Sequence, residues 1–526
     1  MGGRGSFLSF VRTHDTATTA VASIEDAAEC GERADALVSG LLSRVMRQRR
    51  TVAAALDYIW SLSRDTRANC WELALRAGHA GPHRMQALLG RHKWSWEELR
   101  GLLPGLAQDV LRDDPDDLIG PGLAFDETAD LRKGKFTACV SPQHAGVTGK
   151  VENCVSWVFA ALVTALGQAW ADFDVYMPDC WATDPQRRKK AGIPGKLEFA
   201  TKPELAIAQL KRLAASGLRV CWVAADEVYG RCGAFRDACR ALSLSYVVII
   251  PCDYRITLAS GTVIRADQAV KDAVFEERSC GNGTKGPRYG DWALAGTADP
   301  REFLLIRRFP DRDKNQYAFY LCHAPEGRPA TMSYFITIAG RRWPVETTFK
   351  TGKDTLGWDQ CQARKYDAIC RHTALTALAQ LRTAAIQSAL AGASLPAAPP
   401  AAPAAVSEPA ISEPADGTAD LLFSTGDAPL PALGGQPCPP ARHPPDRAVR
   451  HRDRPHRAPG PRLENRPHQP RPPRLLPPLV RMAQTPPGPR PLAPLHRPPA
   501  SPRHLTRDGR KEVTACNHRA SNHQPR

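Results

Sequence analysis

Three acids in this chain stand where sequence patterning could make them act together. Asp126 follows the apolar run Leu-Ala-Phe, Asp226 follows Arg-Val-Cys-Trp-Val-Ala-Ala, and Glu346 lies in Arg-Trp-Pro-Val-Glu, two residues after Pro344. An acid ending a buried strand sits at the rim of a sheet, desolvated on one side and open to a ligand on the other. Two such acids on neighbouring strands can share a hard divalent cation such as Mg²⁺, which keeps several waters and needs few carboxylates. The chemistry that suits them is phosphodiester hydrolysis, where two divalent ions about 3.5–4 Å apart activate a water and stabilise charge at the leaving oxygen. A single strand-end Asp is more often a turn former or a helix cap; the pair says more, because both follow strongly apolar runs. Glu346 is ambiguous from spacing alone. If Pro344 opens a helix there, Arg342, Lys350 and Lys353 fall on its face at i−4, i+4 and i+7, which fits a ligand among phosphate-binding bases and a surface ion-pair network equally.

The elements that must position these acids are legible around them. Apolar residues at helical spacing over Ala34–Met46, Val52–Leu62 and Arg84–Leu89 predict an all-α segment at about residues 31–118. Arg91, His92 and Lys93 beside an exposed Trp94 would suit phosphate contacts, although a solvated helix face accounts for each of them as well. From Gly122 the pattern changes to short strands: one ending in Asp126, then Phe136–Val140 and Val155–Val163, these three pairing as an antiparallel meander, and Ala169–Met177. A helix over Lys202–Ala215, a strand running into Asp226, a helix near Ala234–Leu242 and a strand Ser245–Pro251 complete an α/β core. Residues at about 252–330 read as a β insertion separate from that core, and helices return at Met332–Arg341, Pro344 and Asp367–Leu390. Glu127 and Asp130 are expected to support the site or lie exposed, Tyr229 and Gly230 to shape the turn after Asp226, and Trp343 to be a core residue.

Composition bounds the rest. A chain of 526 residues with 43% hydrophobic content can bury more than one sizeable core. Its net charge of +16 points toward a polyanion, but residues 441–526 supply 19 Lys or Arg against 5 acids, so the body is only mildly basic. Of 47 prolines, 31 fall in residues 391–526, which opposes regular structure there. We expect disorder over residues 1–30, an Ala/Pro linker at 391–440, and a basic Pro/Arg-rich tail at 441–526. That tail reads either as a DNA-binding arm or as GC-rich codons translated in a shifted frame, and the second is preferred. The fifteen cysteines contain no CxxC pair, so reduced thiols are expected rather than a zinc site. The Gly2/Ser6 match to a myristoylation pattern is read as chance. The apolar run Val155–Ala171 is read as buried sheet, so no membrane is expected, and the cytoplasm and nucleoid are the expected location.

Four blocks, Leu-Ala-Phe-Asp-Glu-Thr-Ala-Asp-Leu-Arg-Lys-Gly-Lys at 123–135, Phe-Ala-Thr-Lys-Pro-Glu-Leu-Ala at 199–206, Trp-Val-Ala-Ala-Asp-Glu-Val-Tyr-Gly at 222–230 and Arg-Trp-Pro-Val-Glu-Thr-Thr-Phe-Lys-Thr-Gly-Lys at 342–353, resemble in type, order and spacing the signature blocks of bacterial DDE-type insertion-sequence transposases. The resemblance implies an RNase H-like catalytic domain at about 119–390, with Asp126, Asp226 and Glu346 as catalytic and metal-binding residues and two Mg²⁺ ions, replaceable by Mn²⁺. It implies cleavage of double-stranded DNA at terminal inverted repeats, joining of the 3′-OH to target DNA, and a homodimer in the synaptic complex. Arg342 and Lys353, and beside them Lys350, would contact phosphates. Related transposases carry a Tyr three residues before the Arg; here that position is Ala339. The rival readings are a transposase-derived DNA-binding protein without catalysis and a glycoside hydrolase using two carboxylates. The bases around Glu346 argue against the latter.

Overall fold

The computed structural model describes residues 24–62, 67–111, 117–283, 286–309, 316–390 and 395–396. Apart from residues 395–396, the expected linker lies outside these, as do the basic tail, the myristoylation pattern and residues 1–23. Five helices come first: α1 (Ile24–Val45), α2 (Arg49–Ser61), α3 (Cys70–Arg76), α4 (His83–Gly90) and α5 (Trp96–Val110). α1 begins at Ile24, so the expected disorder does not reach residue 30; the helix-forming residues from Ala27 onward extend the amphipathic run seen from Ala34. Asn69 caps α3 and Ser95 caps α5 through their side chains. Trp94 is a correction to the sequence reading. It is buried, donates from Nε1 to the Leu88 carbonyl at 2.9 Å and lies under the Arg371 guanidinium, because a ring that closes the α4–α5 turn gains more by burial than by facing DNA.

The sheet follows. Its strands are β1 (Gly122–Leu131), β2 (Ser141–Ala145), β3 (Lys150–Val163), β4 (Gln168–Val175), β5 (Trp222–Ala225), β6 (Ser245–Ile250), β9 (Glu276–Gly283), β10 (Gly286–Gly296), β11 (Glu302–Phe309) and β12 (Gln316–His323), with a separate hairpin of β7 (Arg255–Thr257) and β8 (Val263–Arg265). The order is β2-β3-β1-β5-β6-β12-β11-β10-β9, and β4 pairs with β3 alongside β2. β1, β3 and β4 form an antiparallel meander, whereas β5 and β6 run parallel to β1.

Three strand expectations change. Phe136–Val140 is not a strand: Cys139 takes a left-handed φ of 63° and Phe136 is 77% exposed, and β2 instead starts at Ser141. β1 does not stop at Asp126. It continues to Leu131 because β3 pairs with all ten of its residues, while β5 leaves its other edge after Phe125. The β insertion is not separate either, since β12 pairs antiparallel with β6 and carries β11, β10 and β9 onto the same sheet. The physical reason is that β6 would otherwise be a buried edge with an unpaired ladder.

The remaining helices are α6 (Asp179–Ala182), α7 (Pro185–Ala191), α8 (Lys202–Ala215), α9 (Glu227–Gly230), α10 (Gly233–Ala241), α11 (Met332–Gly340), α12 (Pro344–Lys350) and α13 (Tyr366–Leu390). α13, buried along most of its length, packs against α1, α2, α4 and α5 on one side and β4 on another, so the N-terminal helices share the core of the sheet. Arg100 of α5 reaches β4, pairing with Asp174 at 2.9 Å, and Arg212 of α8 meets Asp172 at 2.9 Å. Thirteen cysteines among the described residues are free. No described helix is long and apolar enough to cross a membrane.

Candidate active site

The last parallel pair between β1 and β5 is Phe125 with Ala225. The next residue of each strand is an aspartate, so Asp126 and Asp226 emerge side by side where the parallel ladder ends. Each is held by main-chain donors: Asp126 Oδ1 accepts from Glu127 N at 2.8 Å, and Asp226 Oδ1 accepts from Val228 N at 3.0 Å as the cap of α9. Gly230 closes that turn against β6, where a Cβ would lie 1.8 Å from the Ile249 carbonyl oxygen. No side chain fits there.

Glu127 joins the aspartates. Oxygens of Asp126, Glu127 and Asp226 lie within 4.8 Å of one another. Glu127 is fixed at both ends: Lys202 Nζ donates to Oε1 at 2.6 Å, and the buried Tyr229 hydroxyl donates to Oε2 at 3.2 Å. Lys202 opens α8 behind a capping box made by Thr201 and Glu204. Successive strand residues point to opposite faces, so alternation alone would have separated Glu127 from Asp126. Beyond Phe125, however, β5 no longer covers that edge. The clues in the sequence were the adjacency of Glu127 to Asp126 and the unassigned Thr-Lys-Pro-Glu block. Asp130, four residues on, is buried with Arg132 Nε at 2.9 Å and is not in the cluster.

Glu346 stands beside this group rather than in it. Arg342 spans the gap, its Nη1 3.2 Å from Asp126 Oδ2 and its Nη2 3.3 Å from Glu346 Oε1. α12 is held from below by an aromatic cluster of Trp157, Phe159, Trp170, Phe349 and Trp358. Trp170 Nε1 donates to Thr348 Oγ1 at 2.8 Å. After Lys350 the chain widens into a π-turn, Thr351–Thr355, in which Gly352 lets Trp170 approach. Arg341, next to Arg342, is anchored by Asp117 at 2.8 Å.

The expected phosphate-binding residues therefore diverge in place. Lys350 is exposed, Arg342 is turned inward to two acids, and Lys353 donates to the Ala129 carbonyl at 3.0 Å over the Trp358 ring. Trp343 is 56% exposed, which overturns its expected core role; it precedes Pro344 at the helix entrance and its ring finds no cover.

Burial pushes the Asp126 carboxyl up to about 6, against the pull of Arg342 and with the push of Glu127. Burial, then Asp126 and Glu127, push Asp226 up to about 8. Arg342 is raised although burial lowers it, because Asp126, Glu346 and Asp226 outweigh that cost. Among the described residues Asp226 has no ion pair. This all-oxygen donor set is short of positive charge, which fits a hard divalent cation: octahedral Mg²⁺ at about 2.1 Å from each ligand needs oxygens about 3–4 Å apart.

Residues 40–291 match a family model described as DDE superfamily endonuclease. The match covers Asp126, Glu127, Lys202 and Asp226 and ends before Arg342 and Glu346. A probable transposase for insertion sequence element IS701 from Microchaete diplosiphon is 29% identical over 306 residues, 57% of this chain and 73% of that protein. Over residues 40–291 the chain is thus similar to DDE superfamily endonucleases, and over 57% of its length to an insertion-sequence transposase.

Proposed function

We propose that this protein cuts double-stranded DNA at the terminal inverted repeats of an insertion sequence and joins the freed 3′-OH to target DNA, using two divalent metal ions. The observation that carries the reading is the convergence of Asp126, Glu127 and Asp226 within 4.8 Å at the open end of the β1–β5 pairing. The strand order, an antiparallel meander followed by two parallel strands, supports an RNase H-like core. Asp126, Asp226 and Glu346 are the catalytic carboxylates in this reading, with Glu127 close enough to share the ligand set.

Mg²⁺, or Mn²⁺ in its place, would supply an activated water and charge neutralisation at the leaving oxygen. Asp126 and Asp226 are oriented for this by their main-chain hydrogen bonds, and a bound cation would offset their mutual repulsion. Glu346 on α12 would complete the set that holds the metal, and Arg342, which lies between Asp126 and Glu346, carries a guanidinium suited to a bidentate phosphate contact. Lys350, which is exposed, would meet the DNA backbone directly. Lys353 would do so only by leaving the Ala129 carbonyl. No energy source is required, because one phosphodiester replaces another in strand transfer. A synapse of two ends calls for a homodimer, and work on DNA would place the protein in the cytoplasm at the nucleoid.

The test is Mg²⁺-dependent cleavage of a supercoiled plasmid carrying the element's own ends, comparing this protein with Asp226→Ala. End-specific cleavage that disappears in the variant supports the reading. End binding without cleavage by either protein favours a DNA-binding protein that has lost catalysis, and absence of both refutes the reading.

A further inference from the structure

Beyond the carboxylates, β1 leads into a group of exposed bases. The loop after it carries Arg132, Lys133, Gly134, Lys135 and Phe136, and Asn153 pins it by donating to the carbonyls of Arg132 at 2.7 Å and Gly134 at 2.8 Å. α7 lies against this loop: Arg187 stacks on Trp181, 3.7 Å from its ring centroid, and donates to the Lys135 carbonyl at 3.2 Å. The segment before α13 closes the group, since Ala138 N donates to the Arg364 carbonyl at 2.8 Å and Lys365 Nζ donates to the Lys190 carbonyl. These contacts use main-chain oxygens. They leave Lys133, Lys135, Lys189, Lys190 and Arg364 exposed, and among the described residues none of the five is in an ion pair. Asp184 at α7 is occupied in capping the helix at Arg187 N, 2.9 Å away, while Asp179 of α6 and Asp367 of α13 are exposed acids on the adjoining segments.

A solvated basic face is common, but three features set this one apart. Its charges come from three chain segments joined by hydrogen bonds to main-chain carbonyls, the exposed aromatic Phe136 stands among them, and it adjoins the strand that bears Asp126. Leu131 is five residues beyond Asp126, about 17 Å along an extended strand, so the patch begins roughly 20 Å from the acids. That is the length of about six base pairs of duplex at 3.4 Å each.

Resting on the nuclease reading above, we infer that Lys133, Lys135, Lys189, Lys190 and Arg364 form a second DNA-contacting surface, which grips the phosphate backbone of a duplex about half a helical turn from the reacting phosphate. The contacts are to phosphates, so they set position and affinity without reading sequence.

The experiment is fluorescence anisotropy of the full chain with a labelled 30-base-pair duplex of arbitrary sequence, in EDTA, over a series of salt concentrations. The quadruple variant Lys133→Ala, Lys135→Ala, Lys189→Ala, Lys190→Ala is compared with wild type and with a control that removes four exposed bases elsewhere, Lys211→Ala, Arg219→Ala, Arg255→Ala, Lys271→Ala. Each lost phosphate contact makes the slope of log K against log salt about 0.9 less negative. The patch variant should therefore bind at least about tenfold more weakly, with a slope about 2–4 units shallower, while the control stays near wild type and all three melt alike. Wild-type affinity and slope in the patch variant would overturn this inference and leave the nuclease reading standing. An equal loss in the control would also overturn it, since total charge would then account for the effect. If wild type binds no duplex, both readings fall.

Discussion

Replacing Asp226 by Asn tests the electrostatics of the carboxylate cluster independently of any DNA. Asp226 has its folded pKa raised to about 8 by burial and by the neighbouring Asp126 and Glu127, against about 3.9 in an unfolded chain. A raised carboxyl holds its proton more tightly when folded, so its contribution to stability is fully present below pH 4 and is lost as pH rises through 8. Four units correspond to about 5–6 kcal/mol. Asp226 retains some contact with water and shares the repulsion with Asp126, so we expect about 2–3 kcal/mol in practice. In EDTA at pH 8.5, Asp226→Asn should exceed wild type by that amount in urea-unfolding free energy, and the gap should narrow as pH falls and close by about pH 4. Mg²⁺ at 100-fold excess over Kd should erase the gap, since it adds about 2.7 kcal/mol to whichever protein binds it and the variant has lost a ligand. A variant no more stable than wild type at pH 8.5, or a gap that widens as pH falls, would refute the reasoning.

Glu127→Gln should weaken Mn²⁺ binding, measured by electron paramagnetic resonance without DNA, by about tenfold or more; Lys202→Ala should strengthen it by about two- to fivefold, because the half-buried ammonium that competes for Glu127 is gone. Gly352→Ala would put a Cβ 2.4 Å from the Trp170 ring, and this overpacking beneath α12 should cost about 1–3 kcal/mol in thermal or urea unfolding. His372 is fully buried between the Tyr58 hydroxyl at 2.8 Å and the Trp358 carbonyl at 2.8 Å. The carbonyl only accepts, so Nε2 carries the proton and Nδ1 accepts from Tyr58. Burial pulls its pKa down to about 4, so the stability it contributes is intact above pH 6.5 and about 3 kcal/mol is lost as pH falls to 4. His372→Asn should flatten the urea midpoint across that window.

Local chemistry made much of the chain readable without coordinates. Pro203 near its first turn located the start of α8, and the apolar run to Ala225 located β5 and made Asp226 a rim residue. Pro344 marked the first turn of α12, and gapless helical spacing marked α13. These signals need only residues within a few positions of one another. Where burial or pairing depends on a distant segment, local pattern misleads. Trp94 is buried and Trp343 exposed because Arg371 and α13 cover one while nothing covers the other. The stretch at 252–330 read as a separate insertion, yet β6 offers an edge that β12 fills. Asp126 and Asp226 were determined as candidates by sequence alone, but their juxtaposition is a property of register, Phe125 opposite Ala225. The inclusion of Glu127 is likewise tertiary: strand alternation points it away from Asp126, and only the early end of β5, together with Lys202 and Tyr229 arriving from other elements, turns it into the same cluster.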